Sequence, residues 1–358
     1  MKAVLYYGKE DLRNEEIDEP ELVPGTVKIA PAYNGICGSD LSLYFNGPVP
    51  PAPTADEKHP LTGDTLPIVF GHEFSGVVTE VADDVEGISP GDHVAVEPVI
   101  VCGECFSCQS GQYNLCTKAG SHGISGNGGG LAEQLVVAKQ WVHQVGDLPL
   151  DQAALIEPLS VALHAVKKSG VESGQTAVVG GMGPVGQLVA AVLKARGVHV
   201  IASEVSAKRK EFAKKAGYVD AVIDPTEEDL VDYVKDKTDN AGAAVAFDCA
   251  GAQVVFEQML DSLGAGGHLE VVAVHTKAVD LDITNKLTLS EHSVGASFGY
   301  AGDHEEAIEL VKSGKVNLEQ FISSVIKPED IVEKGFNQLR DHADEEVKIL
   351  VEVNAQDK

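Results

Sequence analysis

Basic residues are in short supply in this chain: 27 lysines and arginines stand against 55 aspartates and glutamates, for a formal net charge of −28 at pH 7. Phosphate backbones and anionic membranes repel such a chain at long range, so neither nucleic acid nor a membrane surface is expected as a partner. Most of this charge reads as solvated surface that maintains solubility, and a high-salt host is a second source of the same bias. Long apolar runs are also missing, and none approaches the roughly 20 residues that a membrane-spanning helix needs. No basic, apolar, small-residue leader opens the sequence, so the expectation is a cytoplasmic protein with reduced thiols. That expectation excludes a disulfide framework for the six cysteines. Internal repeats and low-complexity linkers are absent as well. What remains is ordinary globular composition, 44% hydrophobic and 23% charged over 358 residues, enough for about two domains with separate cores.

Four of the six cysteines crowd into VCGECFSCQSGQYNLC as Cys102, Cys105, Cys108 and Cys116. Two-residue gaps let neighbouring thiolates reach one metal without backbone strain, and Zn²⁺ prefers such a tetrahedron. The bacterial iron–sulfur run closes with a three-residue gap and a proline; here the last gap is seven residues and Thr117 follows. Zinc is therefore expected. With all four positions filled by protein, its role is structural.

Short β-branched runs punctuated by Gly and Pro dominate the first 160 or so residues, including Thr26–Ala30, Gly76–Val81 and His93–Val96. From about 165 to 300 strand and helix patterns alternate: TAVVG, PVGQLVAAVLKA, VHVIASE, SAKRKEFAKKAG, DAVID. Alternation of this kind predicts a parallel sheet with crossover helices, so the fold class is α/β. The tail carries an amphipathic helix, HEEAIELVKSGK, and a closing strand, VKILVEV, and most simply returns to the first domain. Between TAVVG and the next helix lies Gly181-Met182-Gly183-Pro184-Val185-Gly186, where glycines let the backbone turn and approach a pyrophosphate at a helix N-terminus. Glu204 ends the next strand. A carboxylate there accepts hydrogen bonds from ribose hydroxyls and repels a 2′-phosphate, which favours NAD over NADP. Lys208 and Arg209 follow; they soften that preference, and Arg209 is counted with the cofactor residues.

The last two cysteines separate by context. Cys249, in AFDCAG at a strand end, reads as core or cofactor-pocket wall. Cys37 lies between glycines in GICGSD, and it has company: His72 and Glu73 in GHEFSGVV, and Glu157 opening the helix EPLSVALHA. Together with PGDHVAVEP, the four-cysteine lobe and GGMGPVG, in that order, these stretches resemble the zinc-dependent medium-chain alcohol dehydrogenases over nearly the whole chain. HPLTGDTLPIVFGHEFSG and the end of the chain are most similar to the branch acting on 2,3-butanediol, with sorbitol and other polyol dehydrogenases as neighbours.

The resemblance implies a GroES-like β-rich catalytic domain, residues 1–162 and 301–358, and a Rossmann NAD-binding domain, residues 163–300. It implies a catalytic zinc on Cys37 and His72 with a carboxylate from Glu73 or Glu157, the choice between the two left open. An open metal position would take the substrate oxygen, lower the pKa of the alcohol and let hydride pass to NAD. Ser39 is expected to bridge substrate oxygen and cofactor ribose, its rival role being a local turn bond. Relatives commonly carry histidine where this chain has Ser42, so water or His59 is left to carry the proton. His93, His122 and His164 read as surface, hydrogen-bonded or packed groups. Tyr44 and Phe45 read as pocket wall or plain packing, and Asp248–Gly251, a strand Val271–Val274 and Ser297–Tyr300 as the nicotinamide side. The implied reaction is oxidation of a vicinal diol or reduction of acetoin with NAD(H). Polyol oxidation is the alternative; a zinc-free reductase or nucleotide-binding protein is a distant third. A homodimer or homotetramer is implied, joined edge strand to edge strand.

Overall fold

The computed structural model describes residues 1–354, which form two units. The first holds Met1–Glu157, His304–Lys312 and the chain from Leu318 onward; the second holds Pro158–Asp303 and Ser313–Asn317. The chain thus crosses at 157/158 and 303/304, and again at 312/313 and 317/318, where the resemblance implied 162/163 and 300/301. Among the described residues no helix is long and apolar enough to cross a membrane.

Strand Thr26–Gly35 organises the first unit. It pairs antiparallel with Glu73–Val81, with Leu135–Ala138 and with the closing strand Lys348–Glu352, which in turn runs parallel to Ile322–Ile326. Residues of alternate strand positions fill one core, including Val27, Ile29, Phe74, Val78, Val94 and Leu135. The strand runs past the Ala30 end suggested by the sequence. Pro31 cannot donate to the ladder, and the register shifts between Pro31 and Tyr33 before pairing resumes through Gly35. The closing strand brings Ile349 and Val351 into a second core with Tyr6, Phe70 and Phe336.

The second unit carries six parallel strands in the order Ala221–Ile223, His199–Ser203, Thr176–Gly180, Ala243–Asp248, Leu263–Val271, Ser293–Ala296. Numbered along this unit, that order is 3-2-1-4-5-6, the doubly wound arrangement whose direction reverses between the first and fourth strands. Helix Pro184–Ala195 starts on Pro at its first position, and helix Ala207–Ala216 is capped by Ser206 and closed by Gly217 at φ 77°. One expected strand, Val271–Val274, is corrected: Leu263–Val271 ends there because the Val272 and Ala273 N–H groups turn to the Asp248 carbonyl at 3.0 and 2.9 Å.

His122 is buried in the first unit, with its Nδ1 2.7 Å from the Asn127 carbonyl. Burial pushes the imidazole down to about 4. Its neutral form therefore stabilises the fold fully above the unfolded value of about 6.5, and the contribution is lost as pH falls from there toward 4. The loss amounts to about 3 kcal/mol. Urea unfolding between pH 7 and 4 should show a steeper decline for the wild type than for His122→Asn; parallel curves would contradict this.

Candidate zinc and cofactor sites

The GICGSD turn becomes the start of helix Gly38–Asn46, with Cys37 as its N-cap. Asp40, in the first turn, does two things. Its Oδ2 accepts the Cys37 N–H at 2.9 Å, and its Oδ1 lies 3.1 Å from Nδ1 of His72. Burial alone would push the His72 imidazole down, but the adjacent Asp40 carboxylate and Cys37 hold it well above the usual histidine value. On the other side of the ring, the exposed Ser39 hydroxyl lies 3.3 Å from Nε2. Cys37 Sγ, a His72 nitrogen and a Glu73 oxygen lie within 4.8 Å of one another. A thiol, an imidazole backed by a carboxylate and a third anionic donor suit a borderline divalent ion.

Glu73 opens strand Glu73–Val81 opposite Gly35, which is itself opposite Leu350 of the closing strand. Both Glu73 carboxylate oxygens receive the ammonium of Lys348, at 2.8 and 2.6 Å, and the pair is almost fully buried. Burial lowers a lysine pKa, yet Glu73, then Cys37 and Glu157, keep this ammonium above its ordinary value. Gly35 makes the bridge possible: a Cβ there would stand 2.2 Å from Glu73 Oε2. Glu157, buried at the start of helix Ile156–Ser169, lies outside the 4.8 Å set but within electrostatic reach of Lys348.

The four remaining candidate ligands of the first unit form their own cluster. Sulfur separations are 3.5 Å for Cys105–Cys108, 3.5 Å for Cys102–Cys116 and 3.9 Å for Cys102–Cys108. A tetrahedron with Zn–S bonds near 2.3 Å has edges of about 3.8 Å, so the lobe fits the ion. Backbone N–H groups of Cys108 and Thr117 draw the Cys105 thiol down to about 6, toward the thiolate a metal requires.

In the second unit the first and fourth strands end together, with Gly180 paired to Asp248 and to Ser203. Gly181 turns at φ +90°, and a Cβ on Gly186 would strike the Gly181 carbonyl at 1.9 Å, so this helix can pack here only on glycine. Over Gly183 the nearest atom to a built Cβ is Arg209 Nη1 at 3.9 Å, leaving the Gly183 backbone approachable to a pyrophosphate. Glu204 accepts N–H bonds from Met182 at 2.7 Å, Val205 at 2.9 Å and Ser206 at 2.8 Å. Those three bonds hold it against the glycine turn. A carboxylate offers about four lone-pair directions, so about one is left for a ribose hydroxyl. This cradle fits a dinucleotide.

Comparison with known proteins places the chain in a family. The chain matches the model of the alcohol dehydrogenase GroES-like domain over residues 23–147 and that of the zinc-binding dehydrogenases over residues 184–313. It is 41% identical to an (R,R)-butanediol dehydrogenase of Neisseria gonorrhoeae over 99% of this chain and 100% of that one. The chain belongs to the zinc-dependent medium-chain alcohol dehydrogenases. Full-length similarity also links the enzyme to a Bacillus subtilis (R,R)-butanediol dehydrogenase, at 36% identity over 99% and 100% of the two chains. The solved structure of a 2R,3R-butanediol dehydrogenase from the same organism superposes with a TM-score of 0.91, covering 99% of both chains.

Other residues of this dehydrogenase singled out in the sequence take the following places. His59, a candidate to carry the proton, is buried: its Nδ1 accepts the Leu61 and Thr62 N–H groups and its Nε2 faces the Ala119 carbonyl, which leaves it poorly placed to pass protons. Ser42 is exposed and accepts from Asn46. Tyr44 packs on Phe45 and Phe336, so it is core. Cys249 is half-buried against the glycine turn, its Cβ 3.4 Å from a Cβ built on Gly186, and desolvation pushes its thiol up. Asp248 holds its own turn through the Ala250 and Gly251 N–H groups and contacts His275. Asp40, Lys348 and Gly35 were not singled out from the sequence, although all three lie inside quoted stretches, GICGSD and VKILVEV. Lys348→Met should cost about 3–5 kcal/mol by leaving the Glu73 charge buried alone, and adding Glu73→Gln should recover part of it. Urea unfolding of the two variants checks this; equal midpoints for wild type and Lys348→Met would refute it.

Proposed function

We propose that this enzyme interconverts a small vicinal diol of the 2,3-butanediol type and the α-hydroxyketone acetoin, using NAD(H). The observation that carries the reading is Cys37 held beside His72, with the exposed Ser39 hydroxyl 3.3 Å from His72 Nε2. The full-length relatives named for butanediol supply the substrate class. Because Lys348 engages both oxygens of Glu73, the third zinc ligand in this proposal is Glu157, with Cys37 and His72 as the other two. Zinc held there supplies Lewis acidity that brings loss of the alcohol proton near neutral pH. NAD held on the Gly181–Gly186 turn supplies the acceptor for the hydride from the carbinol carbon.

The chain's own residues do the rest. Asp40 fixes the His72 ring so that Nε2 stays turned to the reacting side. Ser39 accepts the hydroxyl proton and, being exposed, hands it to water. The four-cysteine lobe holds a second, structural zinc. In the cofactor unit, the buried Glu204 charge disfavours a 2′-phosphate. The same reading gives a cytoplasmic homodimer or homotetramer joined along the edge strand Ser293–Ala296, around which Leu289, Val294 and Phe298 are exposed apolar residues.

NAD reduction with (2R,3R)-, (2S,3S)- and meso-butanediol and with sorbitol tests the substrate. The R,R diol should give the highest kcat/KM. Dominance of sorbitol would replace the diol by a polyol, and silence on all four would overturn the reading. Ser39→Ala should lower kcat by about 10²–10⁴-fold while NADH binding persists. For the cofactor, NAD should exceed NADP in kcat/KM, and Glu204→Gln should narrow the ratio at least tenfold; a wild-type preference for NADP would contradict the role of Glu204.

A further inference from the structure

A third group of metal-ligating side chains lies in the first unit, apart from Cys37 and from the cysteine lobe: Glu97, His143 and His304, with one donor atom from each inside 4.8 Å. Glu97 follows strand His93–Val96 and is buried. His143 sits in the antiparallel strand Val142–Gln144, opposite Ala95, so it shares a sheet face with Glu97. His304 is the first residue of helix His304–Lys312, where the chain re-enters the unit, and is fully buried.

The donors are arranged in the manner of a coordination shell. Glu97 Oε1 is taken by the Tyr113 hydroxyl at 2.5 Å, which aims Oε2 at both rings: it lies 3.4 Å from His143 Nε2 and 3.7 Å from His304 Nδ1. Ligand atoms about 2.0–2.2 Å from one tetrahedral ion stand about 3.4 Å apart, close to both distances. The two ring centroids are 5.1 Å apart; two imidazoles on one tetrahedral ion place theirs at about 5.2 Å. Behind His143, Glu305 Oε1 bonds Nδ1 at 2.6 Å. A carboxylate on the outer nitrogen of an imidazole fixes the tautomer that leaves Nε2 as a lone-pair donor, the arrangement common behind ligating histidines. The alternative to a metal is a pair of imidazoles that answer the buried Glu97 charge by taking up protons.

We infer that Glu97, His143 and His304 form a third divalent-cation site of the Zn²⁺ class, which ties helix His304–Lys312 to the sheet edge of the catalytic unit. Two nitrogens and one oxygen suit zinc better than magnesium or calcium, which take oxygen shells. The site is independent of the substrate reading, so metal content is the readout. Equilibrium dialysis of the full chain against micromolar zinc, followed by elemental analysis, should give three zinc ions per chain. His143→Ala should hold two, Cys37→Ser two, and the double variant one. Glu305→Gln, at an exposed position, should weaken the third ion about 10–100-fold while the other two stay. A wild-type chain that stops at two zinc ions, or a third ion retained at full strength by His143→Ala or Glu305→Gln, would overturn the site.

Discussion

The catalytic unit is organised around one buried ion pair, Glu73 with Lys348. Two unlike charges removed from water are tolerable only when each meets the other at close range, and the absence of a side chain at Gly35 is what allows it. The consequence reaches across the chain. The closing strand must return between Thr26–Gly35 and Ile322–Ile326, and Glu73 must open its strand with the carboxylate turned inward beside Cys37 and His72. A dication bound by a thiolate and an imidazole needs anionic surroundings. Lys348 moderates them by spending its charge on Glu73, while Asp40 spends its own on the far nitrogen of His72.

Around the cofactor unit the governing constraint is backbone rather than charge. Strand ends aligned at Gly180, Ser203 and Asp248 set the glycine turn, Glu204 and the Asp248 turn along one carboxyl edge of the sheet. Glu204, proposed to recognise the ribose, is also a structural acceptor for three N–H groups of that edge. Its substitution by a residue without an acceptor would therefore disturb the turn as well as the preference between the two nicotinamide cofactors.

Local features were the ones legible in the sequence. Helix Pro184–Ala195 was visible end to end, because a proline start, apolar periodicity and a preceding glycine turn are all short-range signals. The cysteine lobe was visible because its four ligands span only 15 residues, from Cys102 to Cys116. What escaped depends on distance or on register. Lys348 is 275 residues from Glu73 and looks like any lysine in a strand. Gly35 matters only once two strands lie beside it. The strand past Pro31 was cut short because proline signals an end, whereas here a register shift absorbs it. Glu97, His143 and His304 come from three separate elements with no spacing to read, and Val271–Val274 had strand composition but lost its partners to the Asp248 carbonyl.

A high-resolution crystal structure of the zinc-loaded enzyme tests the central claim most directly, that the Lys348 ammonium reserves Glu73 and leaves Glu157 to complete the catalytic ligand set. The account predicts zinc on Cys37, His72 and Glu157 at ordinary bonding distances, about 2.0–2.3 Å, with Glu73 still paired to Lys348. Zinc bonded to a Glu73 carboxylate that has left Lys348 would contradict it.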